Sequence, residues 1–404
     1  MRAWVPNFYG PNQKKLEKQA MRPSILLTGA TGALGSALLP ELLSDFDQHD
    51  IYCLVRGNSA EDARQRLAAI LSNAGLTADS CARVKLLHGD VSAPQLGLAQ
   101  QAYSEILSSV EQIYHLAASV DFDLPLSVSR QANVDSAIQI LDFSRRCRYH
   151  SAAQFRLNYV STAYICGKRS GLLKESELGL GQEFWNSYEQ SKLEAEQLVE
   201  LAKAQTAITI YRPSQIVGDS GSGKINKFFG FYEFIGLAAR GRSDILVADP
   251  GMRADMVPLD YVCSAIRHFS RQSAAIGQTY HLVAGLRHSI TVDQVVDAVL
   301  GVMRAANESV AVARPRIIPL ERLETDTTAL QLARYNASAQ KLLLRTYQPY
   351  LAYERDFDCG ATQQLLQAAG ISIPCMESVI KVTTQYALSF RTRKTRGTTP
   401  APVQ

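Results

Sequence analysis

The stretch Ser24-Ile-Leu-Leu-Thr-Gly-Ala-Thr-Gly-Ala-Leu-Gly35 decides the fold of this chain. Its apolar run, 25–27, predicts a buried strand, and the apolar residues that recur after Gly35 predict a helix. Between the two lie Gly29, Gly32 and Gly35, spaced by three. A helix that starts at such a turn favours an anion, because its first N–H groups are free and its dipole is positive there. The stretch predicts a bound dinucleotide; the alternative is a glycine-rich turn that holds no ligand.

Strands and helices alternate along the first half of the chain. Further apolar runs predict strands at 51–55, 84–87, 113–116, 155–160 and 208–211. Helical patterns lie between them, most clearly at 60–73, 125–147 and 184–204. This alternation predicts an α/β protein with a doubly wound parallel Rossmann sheet.

The chain is expected to have four parts. Residues 1–22 are a polar extension, in which Met21 could be the natural start. Residues 23–217 form the nucleotide-binding domain, and part of residues 255–285 is expected to pass back into the same domain. Residues 391–404 are a basic, flexible tail. Between them, 218–390 form a smaller, mostly α-helical substrate-binding part, with helices at 226–241, 291–304, 326–346, 359–369 and 376–389.

Composition and charge argue against several other classes. With 46% hydrophobic and 20% charged residues, the 404-residue chain has the composition of a soluble globular protein. The net charge of +4 is matched by the four cations of the tail, so the body lacks the basicity of a nucleic-acid binder. The seven cysteines and seven histidines form no metal-binding pattern, which favours a reducing cytoplasm without structural metal. No apolar run approaches the roughly 18 residues of a membrane span.

Tyr188 and Lys192 are the first candidates for chemistry. At a spacing of four on a predicted helix, both side chains lie on one face. The ammonium group is expected to lower the pKa of the tyrosine, which would fit it for proton transfer near neutral pH. Tyr164 and Lys168 have the same spacing but span Gly167 just after a strand, so we interpret that pair as structural.

Two strand ends carry further candidates. Thr162 ends the fifth strand, at the edge where α/β sheets place ligand-facing groups, and its hydroxyl could hydrogen-bond a substrate carbonyl. Arg56 ends the second strand, where an acid would bind the ribose 2′-hydroxyl of NAD; a basic residue there points to NADP. The plainer alternatives are a turn-forming threonine and a surface arginine.

Taken in order, the motifs resemble those of the extended short-chain dehydrogenase/reductase superfamily. They are Thr-Gly-Ala-Thr-Gly-Ala-Leu-Gly at 28–35, Gly-Asp-Val at 89–91, Leu-Ala-Ala at 116–118, Ser-Thr at 161–162, Tyr-x-x-x-Lys at 188–192 and Arg-Pro-Ser at 212–214. Two stretches are similar to the thioester reductase and fatty acyl-CoA reductase branch. One is Cys-Leu-Val-Arg at 53–56 followed by Ala-Arg-Gln-Arg-Leu at 63–67, and the other is Tyr-Arg-Pro-Ser-Gln-Ile-Val-Gly-Asp-Ser-Gly-Ser-Gly at 211–223. The resemblance covers residues 24–285.

The resemblance implies an NADPH-dependent reductase of an acyl thioester carried by CoA or by an acyl or peptidyl carrier protein. Hydride transfer to the thioester carbonyl would give an aldehyde and a thiol, and a second transfer would give the alcohol. Thr162 and Tyr188 would hydrogen-bond the carbonyl oxygen, and Tyr188 would donate the proton. Lys192 would also hold the nicotinamide ribose.

The resemblance further assigns residues along the cofactor, NADP(H). Arg56 and Arg66 would bind the ribose 2′-phosphate. Asn133 would lie in the helix beside the site, although a mid-helix asparagine is usually solvent-facing. No metal ligand is assigned. The remaining positions are Gly29, Thr31, Gly32, Ala33, Leu34 and Gly35 at the pyrophosphate, Asp90 and Val91 at the adenine, Ala117, Ala118 and Ser119 on the nicotinamide side, and Pro213, Ser214 and Ile216 near the nicotinamide.

The predicted helix at 226–241 carries five aromatic residues within seven positions, Phe228, Phe229, Phe231, Tyr232 and Phe234. Such a set cannot all face one core, so some are expected to line an apolar acyl pocket. Ordinary core packing is the alternative.

Three functional hypotheses stay open. The first is the thioester reductase, and the second is another extended-family oxidoreductase, either a hydroxysteroid-type dehydrogenase or a sugar-nucleotide epimerase. Arg56 disfavours an epimerase, which would normally keep NAD bound. The third is a non-catalytic NADP-binding regulator, against which the intact Thr162, Tyr188 and Lys192 argue.

Overall fold

The computed structural model describes residues 22–240, 245–306, 313–319, 322, 350 and 353–395. Nearly all of the predicted extension, the helix predicted at 326–346 and the tail from 396 onward lie outside these residues.

A seven-stranded sheet forms the centre of the molecule. The strands, numbered along the chain, are β1 (Ser24–Thr28), β2 (Asp50–Val55), β3 (Val84–His88), β4 (Val110–His115), β5 (Arg156–Val160), β6 (Gly171–Leu173), β7 (Ile208–Pro213), β8 (Gln215–Val217), β9 (Ile245–Val247), β10 (Arg253–Ala254), β11 (Met256–Pro258), β12 (Thr279–Leu282), β13 (Ile290–Thr291), β14 (Arg316–Ile318) and β15 (Arg355–Phe357). The central sheet has the order β12-β7-β5-β4-β1-β2-β3, and every neighbouring pair in it is parallel. The predicted doubly wound parallel sheet is confirmed.

Helices cover both faces of this sheet. In the described part of the chain they are α1 (Ala33–Asp45), α2 (Ala60–Asn73), α3 (Ala78–Ala82), α4 (Gln100–Ser109), α5 (Leu126–Arg130), α6 (Ser136–Arg146), α7 (Ser187–Ala202), α8 (Phe231–Ala238), α9 (Leu259–Ser270), α10 (Gly285–His288), α11 (Val292–Ala306), α12 (Gly360–Ala368) and α13 (Met376–Thr395). Because side chains alternate along a strand, Leu26 of β1 packs in a core with α4, α6 and α7. Its neighbours Ile25 and Leu27 pack on the other face with α1, α2 and α9.

The strand order positions the site. The chain leaves β1 for β2 on one side and later crosses to β4 on the other, so the loops at the carboxyl ends of β1 and β4 diverge. Such a reversal opens a crevice at that edge of the sheet. The carboxyl ends of β1, β4, β5 and β7 are also where the predicted site residues follow their strands.

Two predicted boundaries are corrected. Within the described residues 226–240 of the segment predicted at 226–241, only Phe231–Ala238 is helical. Gly230 has a φ of 59°, which is left-handed, and it therefore starts the helix late. At the other end, α13 continues to Thr395, so the tail predicted from 391 is helical in its first five residues.

Three further features describe the whole fold. None of the helices in the described ranges is long and apolar enough to cross a membrane. All seven cysteines are free thiols. The residues that the structure describes contain no group of three or more His, Cys, Asp or Glu side chains able to hold a metal ion.

Candidate active site

The turn after β1 can be made only by glycines. Gly29 has a φ of 75°, and a Cβ there would lie 2.8 Å from the backbone nitrogen of Ala117. A Cβ on Gly35 would lie 2.1 Å from the carbonyl oxygen of Gly29, well inside contact distance. Helix α1 starts after Gly32, and no described side chain caps it and no acid lies in its first turn. The N–H groups of that turn are therefore available to an anion, and the turn fits the pyrophosphate of a dinucleotide.

Cations gather beside this turn. Arg66 of α2 donates to the Thr31 hydroxyl over 3.3 Å and to the carbonyl oxygen of Arg56. Burial lowers the pKa of Lys227, and the positive charges of Arg66 and Arg56 lower it further, so Lys227 lies close to both. The preceding Asn226 donates to the carbonyl oxygens of Thr31 and Gly32. Arg56 and Arg66 thus lie beside the glycine turn, and Lys227 is a third cation at the same place; their binding of a 2′-phosphate stays a prediction.

Asp90 and Val91 follow β3, beside β2. The carboxylate of Asp90 accepts hydrogen bonds from the backbone and the hydroxyl of Ser92, at 2.9 and 2.7 Å. Val91 is partly buried and packs against the hydrophobic cluster to which α4 contributes. Their contact with an adenine ring stays a prediction.

Hydrogen bonds with the end of β1 hold the chain that follows β4 in place. Ala117 donates its N–H to the hydroxyl of Thr28 over 3.2 Å, and that hydroxyl lies 2.9 Å from Nδ1 of His115. Burial, assisted by the charge of Lys192, lowers the pKa of His115 to about 3, so the imidazole is neutral. These contacts fix the path of the chain through Ala118.

Asn133 is buried rather than solvent-facing, which corrects the plainer alternative. It lies in a π turn, Gln131–Asp135, between α5 and α6. Its side chain accepts from the Ser119 N–H at 2.8 Å and donates to the Ser119 carbonyl oxygen at 3.3 Å and to the Ser191 hydroxyl at 2.9 Å. Asn133 thus joins the loop after β4 to α7, the helix that carries Tyr188. Single π turns often occur at functional sites.

Thr162, Tyr188 and Lys192 lie close together at the carboxyl end of β5. The side chain of Asn186 caps α7 by accepting from the Glu189 N–H, which places Tyr188 in the first turn and Lys192 one turn later. The Thr162 hydroxyl donates to the carbonyl oxygen of Pro213 over 3.4 Å, and it is also hydrogen-bonded to Tyr188. The structure therefore brings the three predicted side chains together.

The predicted pKa of Tyr188 was wrong in direction. Burial raises the pKa of Tyr188 to about 12, and the hydrogen bond with Thr162 offsets only part of that rise. Lys192 instead donates to the carbonyl oxygen of Val160 at 3.0 Å and to the Tyr159 hydroxyl at 3.5 Å. Burial lowers the pKa of Lys192 to about 8. The tyrosine consequently keeps its proton at neutral pH, as a proton donor must.

One cavity of about 460 Å³ connects the glycine turn to the catalytic candidates. Twelve of the site residues predicted from the sequence line this cavity: Gly29, Gly32, Ala33, Leu34, Gly35, Ala118, Thr162, Tyr188, Lys192, Pro213, Ser214 and Ile216. The other predicted positions, Thr31, Arg56, Arg66, Asp90, Val91, Ala117, Ser119 and Asn133, do not line it.

The far side of the cavity is an apolar chamber. Three of the five predicted aromatics line the cavity, Phe229, Phe231 and Phe234. Phe228 and Tyr232 stack on each other instead, with ring centroids 4.8 Å apart. The chamber is completed by Leu246, Met256, Val292, Val295 and Val296.

Sequence reasoning missed several lining residues. Tyr164 lines the cavity although its spacing partner does not: Lys168 pairs with Glu183 at 2.9 Å. Phe122, Lys227 and Tyr350 also line it. Lys227 carried a usable signal, a lysine beside an aromatic run, whereas no local pattern marks Phe122 or Tyr350.

Known proteins resemble the chain over most of its length. A nonribosomal peptide synthetase, asaC of Aspergillus flavus, is 33% identical over 69% of this chain and 27% of its own length. The aldehyde reductase lnbA of the same fungus is 31% identical over 68% of this chain and 28% of its own. The chain thus spans little more than a quarter of these relatives.

Solved structures agree with the fold. The terminal R domain of the myxalamid PKS-NRPS pathway superposes with a TM-score of 0.75 at 29% identity, covering 92% of this chain and 91% of that domain. A thiolation-reductase di-domain of an archaeal non-ribosomal peptide synthetase gives a TM-score of 0.69 at 18% identity, over 92% of this chain and 76% of that one, and shares the fold.

The family assignment follows from a match that spans more than half of the chain. Residues 27–266, which include the glycine turn and the Thr162, Tyr188 and Lys192 site, match the NAD-binding family described as Male sterility protein. The chain belongs to this family, in the thioester reductase-like branch of the extended short-chain dehydrogenase/reductases, and is an NAD(P)-dependent oxidoreductase.

Proposed function

We propose that the protein is an NADPH-dependent reductase of an acyl thioester, which it converts to an aldehyde. The observation that carries the proposal is the single cavity that connects the glycine turn, the Thr162–Tyr188 pair and the apolar chamber. A dinucleotide end, a proton donor and room for an acyl group are what this reaction needs. A second reduction at the same site would give the alcohol.

The chain's own residues position the cofactor. NADPH, when bound, supplies hydride from its nicotinamide ring. The glycine turn and the start of α1 would hold the pyrophosphate, and Pro213, Ser214 and Ile216 would border the nicotinamide. Lys192 would hold the nicotinamide ribose as well as the end of β5.

Three cations support NADPH over NADH. Arg56, Arg66 and Lys227 lie together beside Thr31, where the adenosine ribose of a bound dinucleotide would be. Three like charges repel each other, and a 2′-phosphate would neutralise part of that repulsion. No comparable gain would come from a ribose hydroxyl.

The catalytic step then uses two hydroxyls. Thr162 and Tyr188 would donate hydrogen bonds to the thioester carbonyl oxygen as negative charge develops on it. Tyr188 holds its proton at neutral pH and would transfer it to that oxygen as the carbonyl carbon takes up hydride, which gives a hemithioacetal. The phenolate then regains a proton from solvent. Cleavage of the C–S bond of the hemithioacetal releases the aldehyde and the thiol, and the hydroxyl proton passes to the departing sulfur through solvent.

The source of the acyl group is proposed from the relatives. Their names include nonribosomal peptide synthetases and a thiolation-reductase di-domain, which favours a thioester on a carrier protein. An acyl-CoA remains the second candidate, because CoA and carrier proteins present the same type of thioester.

The test mixes the protein with NADPH and a panel of acyl-CoA and acyl-carrier thioesters, and follows nicotinamide absorbance and free thiol together. Thiol release that matches NADPH loss is expected. NADPH loss without thiol would contradict thioester reduction and favour another oxidoreductase of the family. No loss with any thioester would favour the non-catalytic regulator.

Tyr188→Phe is the matched variant. We expect it to lower kcat by roughly a thousandfold, since it removes the proton donor, while the Kd of NADPH stays unchanged. Tyr164→Phe serves as the control because that phenol also lines the cavity. Equal losses in both variants would contradict the assignment of Tyr188.

A further inference from the structure

A buried carboxylate lies next to the catalytic tyrosine. Glu189 follows Tyr188 in α7 and is fully buried. One carboxylate oxygen accepts the Trp185 N–H at 3.0 Å, and the other accepts the Tyr350 hydroxyl at 2.6 Å. The Asn186 amide donates to the same Tyr350 hydroxyl over 2.9 Å. Tyr350 is thus held by two residues that flank the catalytic position.

This attachment is strong. A hydroxyl that donates to a carboxylate forms a short, charge-assisted hydrogen bond. Burial raises the pKa of Glu189, and the Tyr350 hydrogen bond opposes that rise. Removing the hydroxyl would leave one oxygen of a buried carboxylate without this donor, which is costly in a protein interior.

The ring of Tyr350 faces the substrate side of the site. It stacks on Phe122, with centroids 5.6 Å apart, and meets Tyr164 edge to face at 4.8 Å. Phe122 in turn lies 5.4 Å from the ring of Tyr188. The Arg355 guanidinium lies 5.4 Å from the Tyr350 centroid. Phe122, Tyr164 and Tyr350 all line the cavity, so together they form its aromatic wall beside the proton donor.

We propose that Tyr350 is a specificity-determining residue, which the Glu189 hydrogen bond holds in place so that the aromatic wall limits the bulk of the acyl group next to its carbonyl. The proposal rests on the proposed thioester reduction. An acyl chain without a branch at its α-carbon passes this wall and extends toward the apolar chamber. An α-branched or α-aryl acyl group meets the rings of Phe122 and Tyr350.

The experiment compares hexanoyl with 2-methylhexanoyl N-acetylcysteamine thioesters, using NADPH and the full chain. The measured quantity is the ratio of kcat/KM for the linear to the branched substrate. Tyr350→Ala is expected to reduce this ratio about tenfold, because a pocket wall discriminates single methyl groups by such factors. Tyr353→Ala is the control: Tyr353 belongs to the same segment and packs on Trp185, with centroids 4.6 Å apart, but does not line the cavity.

The hydrogen bond is tested by a double-mutant cycle. Tyr350→Phe keeps the ring, and Glu189→Gln keeps the shape of the acceptor. Each is expected to reduce the ratio about threefold, and the double variant should reduce it no further, because each change removes the same charge-assisted hydrogen bond. Full additivity would overturn the role of Glu189. Thermal melting reports whether each variant folds, and Tyr350→Leu replaces Tyr350→Ala if that variant does not.

A failure of thioester reduction and a failure of the specificity role of Tyr350 give different results. A wild type that reduces neither thioester contradicts thioester reduction, and the ratio is then measured on hexanal and 2-methylhexanal. Without any turnover, calorimetry compares binding of hexan-1-ol and 2-methylhexan-1-ol in the presence of NADP⁺. In each assay a folded Tyr350→Ala or Tyr350→Leu protein with a ratio within twofold of the wild type overturns the specificity role, and a loss of discrimination supports it.

Discussion

Lys192 donates a hydrogen bond to the carbonyl oxygen of Val160 over 3.0 Å, and so ties helix α7 to the end of strand β5. Thr162 lies two residues beyond Val160, and Tyr188 lies one turn before Lys192. This contact therefore helps to set the distance between the strand and the helix that carry the two hydroxyls. The contact buries an ammonium group, and burial lowers its pKa to about 8.

The first prediction concerns stability and pH. Lys192 titrates near pH 8 in the folded protein and near 10.5 when exposed. Between these values the unfolded chain holds more protons at Lys192, so its contribution to the free energy of unfolding rises with pH. Denaturant unfolding at pH 7.5, 8.5 and 9.5 should show the wild type gaining stability over Lys192→Met, by an amount on the order of 2 kcal/mol. Parallel curves for the two proteins would contradict the assignment.

The control for that series is Lys85→Met. Lys85 is exposed on β3 and donates only to the nearby carbonyl oxygen of Ala82 among its described contacts. Its curve should stay parallel to that of the wild type, because replacing an exposed side chain takes no ammonium group out of the protein interior.

The second prediction concerns the choice of cofactor. Arg66→Ala and Lys227→Ala should each raise the KM for NADPH at least tenfold and leave the KM for NADH nearly unchanged, because each would remove a charge that the proposed 2′-phosphate contact needs and a ribose hydroxyl does not. Added salt should weaken NADPH binding in the wild type for the same reason. Steady-state kinetics with both nucleotides measures the effect.

Arg64→Ala is the matched control for this pair. Arg64 is an exposed arginine of the same helix and pairs with Glu61. Equal losses for NADPH and NADH in Arg66→Ala would indicate a damaged fold rather than a lost phosphate contact.

The third prediction compares two glycines. Gly35→Ala should abolish NADPH binding, because the new Cβ would lie 2.1 Å from the carbonyl oxygen of Gly29 and would force the turn apart. Gly301 lies inside α11, and no described atom outside the backbone of its own helix lies within 4 Å of an added Cβ, so Gly301→Ala should stabilise the protein by about 0.5–1 kcal/mol. Nucleotide titration and thermal melting separate the two. Unaltered binding in a folded Gly35→Ala protein would contradict the role of the turn.

Local patterns in the sequence predicted much of this protein. The glycine turn, the strands of the sheet up to β7 and the Tyr188–Lys192 pair each depend on neighbouring residues, so periodicity and spacing were sufficient. Thr162 and Arg56 could be placed because the carboxyl ends of parallel strands share one edge of the sheet.

Contacts between distant segments were beyond the reach of these patterns. Spacing alone placed Lys192 beside Tyr188 and suggested a lowered tyrosine pKa, but the fold supplies a carbonyl acceptor from β5 and buries the phenol. Tyr350 reaches Glu189 across 161 positions of the chain. Asn133 looked like a surface residue because a π turn has no sequence periodicity of its own.

The last prediction concerns Asn133, whose side chain joins the loop after β4 to α7. Asn133→Ala should lower the free energy of unfolding by about 2 kcal/mol, because it leaves polar groups of the half-buried Ser119 and the buried Ser191 without this partner. It should also lower kcat, since Ser191 in turn bonds the carbonyl oxygen of Tyr188 at 3.0 Å. Denaturant unfolding and steady-state kinetics measure both effects. Asn73→Ala, at an exposed helix end, should change neither, and a wild-type kcat in a destabilised Asn133→Ala protein would limit Asn133 to a structural role.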